Sequence, residues 1–192
     1  TTGTLTPDVA LGEGSFALTY TLTDAAGNES MPSGALNLTV DTTAPATTVS
    51  IDSIGTDSGS SASDFITNDN DGLTINATLS SALGADETLE VSIAGGTTFT
   101  TVAASEIAGT SVAHVAAGLT ASATVQFRVV DAAGNPGPVA TPAVTIDTSA
   151  PATPAAPTSY EDDVGPVTDS ASTATDTDDT RPGINIGAGL TD

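Results

Sequence analysis

The sequence predicts an all-β chain of antiparallel two-sheet sandwich domains in tandem. Three observations predict it. Short segments alternate apolar and polar residues with period two, turn residues separate them, and one block of motifs occurs twice more than a hundred residues apart. The block reads Asp24-Ala25-Ala26-Gly27-Asn28, then Val40-Asp41-Thr42-Thr43-Ala44-Pro45. It returns as Asp131-Ala132-Ala133-Gly134-Asn135, then Ile146-Asp147-Thr148-Ser149-Ala150-Pro151. The offsets are 107 and 106 residues. Solenoid units repeat every 20 to 50 residues or so, so a period this long marks whole domains strung like beads.

Three segments follow. Residues 1–46 read as the second half of a bead. Phe16, Leu18, Tyr20 and Leu22 alternate along one strand, and Leu36, Leu38 and Val40 along another. Gly27-Asn28 supplies the turn between them, and Pro45 ends the unit because it has no N–H for a ladder. Residues 47–152 read as one complete bead. Its seven expected strands centre on Val49–Ile51, Leu73–Leu79, Leu89–Ile93, Thr97–Val102, Ser111–Val115, Val125–Val129 and Val144–Ile146. Gly95-Gly96 is a turn and Asp57 to Gly72 an acidic loop. Residues 153–192 begin a third bead, since Asp163-Val164-Gly165 answers Asp57-Ser58-Gly59. Likewise Asp178-Asp179 with Gly183-Ile184-Asn185 answers Asp69–Gly72 with Thr74-Ile75-Asn76. Both outer segments would leave an apolar face uncovered, so the natural protein is expected to continue in both directions.

Composition narrows the function classes. The 192 residues carry 24 acids against two bases, Arg128 and Arg181, for a formal charge of −22. Nucleic acid and anionic membranes are poor partners for such a chain, whereas cations are good ones. Without cysteine there is no disulfide or thiolate metal site, and without lysine no Lys–Asn cross-link. Leu, Ile, Val and Phe make up only about one-fifth of the residues, near the limit at which a charged chain stays unfolded. Counter-charge would therefore help folding. No run of 18 apolar residues is present.

The acids recur where strands end, and Ca2+ takes six to eight oxygens from carboxylates, Asn side chains, carbonyls and water. Calcium is the expected cofactor. Asp131, Asn135 and Asp147 are expected at one pole of the central bead, converging with Asp162 and Asp163 of the next. The matching upstream set is Asp24, Asn28 and Asp41 with Asp57, and Glu29 is a further candidate. Asp69 and Asp71 resemble half of an EF-hand loop without its terminal Glu, and Asp178 and Asp179 are their counterparts downstream. The competing reading is that these aspartates cap turns and keep the surface soluble.

These phrases, with Ser61-Ala62-Ser63-Asp64-Phe65-Ile66-Thr67-Asn68-Asp69, Asp162–Val167 and Asp178–Pro182, resemble the bacterial immunoglobulin-like repeats of large type I-secreted adhesins of Gram-negative bacteria. Thr56 departs from the pattern, standing where the later copy has Asp162. The resemblance implies tandem immunoglobulin-like domains in an extracellular, cell-surface stalk. It further implies calcium at the domain junctions, adjacent repeats as partners, and ligand-binding modules elsewhere in the polypeptide.

Other chemistry is sparse. His114, the one histidine, has no motif companion and reads as a strand-surface residue. Asp86, Glu87 and Glu90 offer a carboxylate pair but no evident cleft. Tyr20 and Phe127 read as core, and Tyr160 as an exposed aromatic in a Pro-rich junction. The rival classes are repeats that themselves bind a glycan or receptor, and spacer domains of a secreted polysaccharide-degrading enzyme. A self-assembling filament is a variant of the stalk.

Overall fold

The computed structural model describes residues 4, 6–162, 169–173 and 179–185. Asp163 and Asp178 lie outside them. The chain divides into two compact units, Thr1–Thr148 and Ser149–Asp192. The fold is all-β with antiparallel sheets, as the alternation predicts, and its only helical element among the described residues is a 3₁₀ turn at Ala104–Glu106.

The first unit opens with β1 (Gly14–Leu18) and β2 (Leu36–Val40), an antiparallel pair in which Phe16 faces Leu38. The expected strand to Leu22 is shorter as a ladder. Beyond Leu18 the backbone instead bonds to Ser33 and Ser30, whose N–H groups donate to Tyr20 O and Leu22 O. Ten strands then build the central bead. These are β3 (Val49–Ile54), β4 (Ile66–Thr67), β5 (Leu73–Leu79), β6 (Thr88–Ser92), β7 (Thr100–Thr101), β8 (Ile107–Ala108), β9 (Ser111–Ala116), β10 (Ala123–Thr124), β11 (Gln126–Val130) and β12 (Ala143–Ile146).

One sheet runs β3-β5-β9-β8. The other strands form β11-β6-β7 and β10-β12-β4. Period-two burial is clearest in β5, where Leu73, Ile75, Ala77 and Leu79 are buried and Thr74, Asn76 and Thr78 are not. They join Leu89, Val91, Val112, Phe127, Val129 and Val144 in one core. Full burial of each large side chain contributes about 1.5–3 kcal/mol.

Three elements differ from expectation for identifiable reasons. The stretch predicted as Val125–Val129 is split at Val125, whose N–H bonds to Pro142 O. Pro136, Pro138 and Pro142 deny the returning chain a continuous ladder, so β11 meets it only through bridges such as Phe127 with Ala140. The loop 57–72 hides β4, which pairs in parallel with β12 and is too short to show periodicity. Thr97–Val102 contributes only two strand residues.

In the second unit β13 (Ser159–Asp162) lies between β14 (Asp169–Ser172) and β15 (Gly183–Asn185). The register of β13 with β15 repeats that of β3 with β5, although β14 pairs with β13 where β4 pairs with β12. Ser159 faces Asn185 as Ser53 faces Asn76, and Tyr160 faces Ile184 as Ile54 faces Ile75. Even the side-chain bond recurs, with Asn Nδ2 donating to Ser Oγ at 3.0 Å in the later pair and 3.1 Å in the earlier.

Candidate functional site

The two Asp-Ala-Ala-Gly-Asn turns are the same structure. In the later one Asp131 Oδ1 accepts from the Ala133 and Asn135 N–H groups, both at 2.9 Å, and Oδ2 accepts from Asn135 Nδ2 at 2.9 Å. In the earlier one Asp24 does the same with Ala26 and Asn28 at identical distances. Gly134 and Gly27 hold φ of 92° and 89°, which a side chain would resist. Three donors on one carboxylate favour its charged form. The Asn135 side chain first, then backbone N–H groups, lowers the Asp131 pKa, and Asn28 does the same for Asp24. Both aspartates therefore cap their own turns.

The second proton of the Asn135 amide is spent on the neighbouring repeat. Nδ2 also donates to Asp41 O at 3.1 Å, where β2 ends. Close by, a Cβ built on Gly137 would stand 3.4 Å from Pro45 O and 3.7 Å from Thr47 O. The linker thus passes over the Asp131–Gly137 turn at the pole where the chain enters the central bead.

The grouping of site residues consequently differs from the expected one. Asn135 and Asp147 do not share a pole. From Pro136 to Ile146 the chain runs back along β11 and β10, with partners in the order Val130, Phe127, Val125 and Ala123. At roughly 3.3 Å per strand residue, Asp147 ends on the order of 30 Å from the turn. Asp57 likewise does not join Asp24, Asn28 and Asp41. It lies with Asp147 at the trailing pole, both arranged around β4. Asp57 Oδ2 accepts from Phe65 N at 3.1 Å, Phe65 O accepts from Thr145 N, and Thr67 O accepts from Asp147 N at 2.9 Å. Sequence order misled here because the strand after the turn doubles back.

Asp69 and Asp71 belong to the same pole. Thr67 Oγ1 accepts from Asp69 N at 3.0 Å, and Asp69 Oδ1 from Asp71 N at 3.2 Å. The backbone N–H of Asp71 holds the Asp69 pKa down, while the hydrogen bond and charge of Asp69 push that of Asp71 up. Phe65 takes φ of 60°, unusual for an aromatic residue. Asp57 Oδ1 is buried without a hydrogen-bond partner. Burying a carboxylate oxygen unpaired is costly, so this atom fits a cation better than it fits an apolar wall. Among the described residues no three acidic or histidine side chains are already drawn together tightly enough to hold a metal.

The remaining candidates are dispersed. Asp41 caps the linker, its Oδ1 accepting from Thr43 N at 3.0 Å. Glu29 Oε1 accepts from Thr21 Oγ1 at 2.6 Å across the first hairpin. Asp162 ends β13, and Asp179 is buried with Oδ1 accepting from Arg181 N at 2.7 Å. Glu13 was missed by sequence reasoning. Its Oε2 accepts from Thr42 N and Thr42 Oγ1, at 3.0 and 2.6 Å, and fixes the start of the linker. The later repeat has Thr120 at the equivalent position, so no recurring acid flagged it.

Two side chains, His114 and Tyr20, take other places than expected, and Glu90 is occupied within the sheet. His114 is only 16% exposed rather than a surface residue, bonded to Glu106 at 3.1 Å and edge-on to Phe127 with ring centroids 6.0 Å apart. Tyr20 is 54% exposed, unlike its repeat counterpart Phe127, which is fully buried. Glu90 pairs with Arg128 at 2.8 Å, and that guanidinium lies 3.8 Å over the Phe99 ring, so Glu90 supports the sheet.

No protein-family model matches the chain, and no curated protein matches it.

Proposed function

We propose that these β-sandwich beads are non-catalytic stalk repeats of an extracellular bacterial surface adhesin, stiffened by calcium at the domain junctions. The observation that carries the reading is the bond from Asn135 to the Asp41 carbonyl. In the central bead, the turn motif that also occurs at Asp24–Asn28 grips the end of the strand that precedes the linker. A spacer must set the angle between neighbours, and this contact restrains it.

Calcium enters through the trailing pole. Asp57, Asp69 and Asp147 hydrogen-bond at or beside β4 with Asp71 next to Asp69, their carboxylates not yet converged on one point, and Asp57 Oδ1 lacks a partner. A divalent ion there would offset repulsion within a chain of charge −22 and stabilise the bead by mass action. Extracellular modules bind Ca2+ with dissociation constants of about 10⁻⁴–10⁻³ M. Isothermal titration with calcium chloride tests this reading. Binding in that range, weakened at least tenfold by Asp57→Asn, supports it. No heat at millimolar calcium, with an unchanged melting temperature, refutes it.

A further inference from the structure

The loop that leads into β5 brings a side-chain carboxyl beside an unhindered main-chain nitrogen. Asp71-Gly72 is the one Asp-Gly step in the sequence, and no Asn precedes a glycine. Gly72 has no Cβ to crowd its own nitrogen, and it holds φ of 108°. Asp71 is exposed, and its N–H donates to Asp69 Oδ1 at 3.2 Å. Among the described residues no hydrogen bond engages the Gly72 N–H. Asp24, Asp52, Asp57 and Asp131, which precede alanine or serine, are held more firmly. Asp24 and Asp131 spend both oxygens on donors of their own turns. Asp52 lies in β3 with Oδ2 accepting from Thr78 Oγ1 at 2.6 Å, and Asp57 Oδ2 accepts from Phe65 N.

We propose that Asp71-Gly72 is a site of spontaneous isoaspartate formation, the chemical ageing point of the central bead. The Gly72 nitrogen attacks Asp71 Cγ, the carboxyl hydroxyl leaves as water with the amide proton, and a five-membered imide forms. Water then adds at one of the two imide carbonyls. Opening at Cγ restores aspartate. Opening at the Asp71 main-chain carbonyl leaves Gly72 joined through Cγ and frees the α-carboxylate, so the main chain gains one methylene and the mass is unchanged. The fold gives that methylene no slack. A Cβ built on Gly72 would stand 3.0 Å from Ala117 Cα, and Leu73, 1% exposed, begins β5 opposite Ala116. Conversion therefore loosens the start of β5. The inference does not depend on a cation at the trailing pole.

The test incubates the whole 192-residue chain for weeks at neutral pH and physiological temperature in chelator, folded and in parallel unfolded in urea. Labelling by protein-isoaspartate methyltransferase measures the product, and mass spectrometry of chymotryptic peptides locates it. The folded chain should accumulate more isoaspartate at Asp71 than at any other aspartate, and its melting temperature should fall by several degrees. Both changes should disappear in Asp71→Glu, whose longer side chain cannot close the five-membered ring. Circular dichroism checks that this exposed substitution leaves the fold intact. Isoaspartate at Asp71 in urea but not in the folded chain overturns the proposal, because the fold would then hold the nitrogen and Cγ apart. Its absence from both overturns it as well. Isoaspartate at Asp71 with an unchanged melting temperature overturns the effect on β5.

Discussion

Replacing Val129 and Val115 by Ala, one at a time, separates core packing from strand propensity within a single bead. The chemistry is identical, two methyl groups removed from a strand residue. Val129 is 0% exposed and lies among Phe127, Ile75 and Leu89, whereas Val115 on β9 is 59% exposed. At about 0.8 kcal/mol per buried carbon plus a cavity term, Val129→Ala should cost about 2–3 kcal/mol. Val115→Ala loses strand propensity alone, at most about 1 kcal/mol. For a domain of this size each kcal/mol moves the midpoint by about 4–8 °C, so the falls should be about 10–20 °C and no more than about 8 °C. Thermal unfolding followed by circular dichroism, with urea titration as a second probe, gives both values. Equal losses, or a smaller loss at Val129, would refute the two-sheet core.

Further outcomes follow from the same geometry. Gly72 has φ of 108° and its built Cβ would stand 3.0 Å from Ala117 Cα, so Gly72→Ala should destabilise by about 1–3 kcal/mol in urea titration. Asp131→Ala should lower the melting temperature more than Asp131→Asn, because Asn keeps an acceptor for the Ala133 and Asn135 N–H groups. Glu106 has its pKa held below the ordinary 4.5, first by the Val115 N–H and then by His114. A depressed carboxylate contributes stability that is present above its unfolded value and is lost as pH falls through its folded one. Melting temperature should therefore drop below about pH 4.5, and Glu106→Gln should flatten that part of the profile.

Much of the fold was legible because burial on one face of a strand leaves a period-two trace. The β5 segment, Leu73 to Leu79, carries it without interruption. Elements governed by long-range pairing left none. Ile66–Thr67 is two residues long and is a strand only because β12 arrives beside it. The site residues were legible as types but not as groups. Recurrence identified Asp24 and Asp131, whose turns coincide bond for bond, yet it could not say which pole each occupies. That depends on a returning strand broken by prolines. Asp57 joined the wrong set because β3 first carries the chain to the other end of the bead. Its link to β4 depends on Phe65 at a positive φ, which nothing in an aromatic residue announces. His114 lacked a motif, and only the register of β9 against β5 and the reach of Glu106 draw it inward.

Small-angle X-ray scattering of the chain, with millimolar calcium and then with excess chelator, bears most directly on a cation-stiffened stalk. The account predicts that chelation shortens the maximum dimension and broadens the pair-distance distribution as the junctions loosen, and that restoring calcium reverses both changes. Superimposable curves in the two conditions would contradict it.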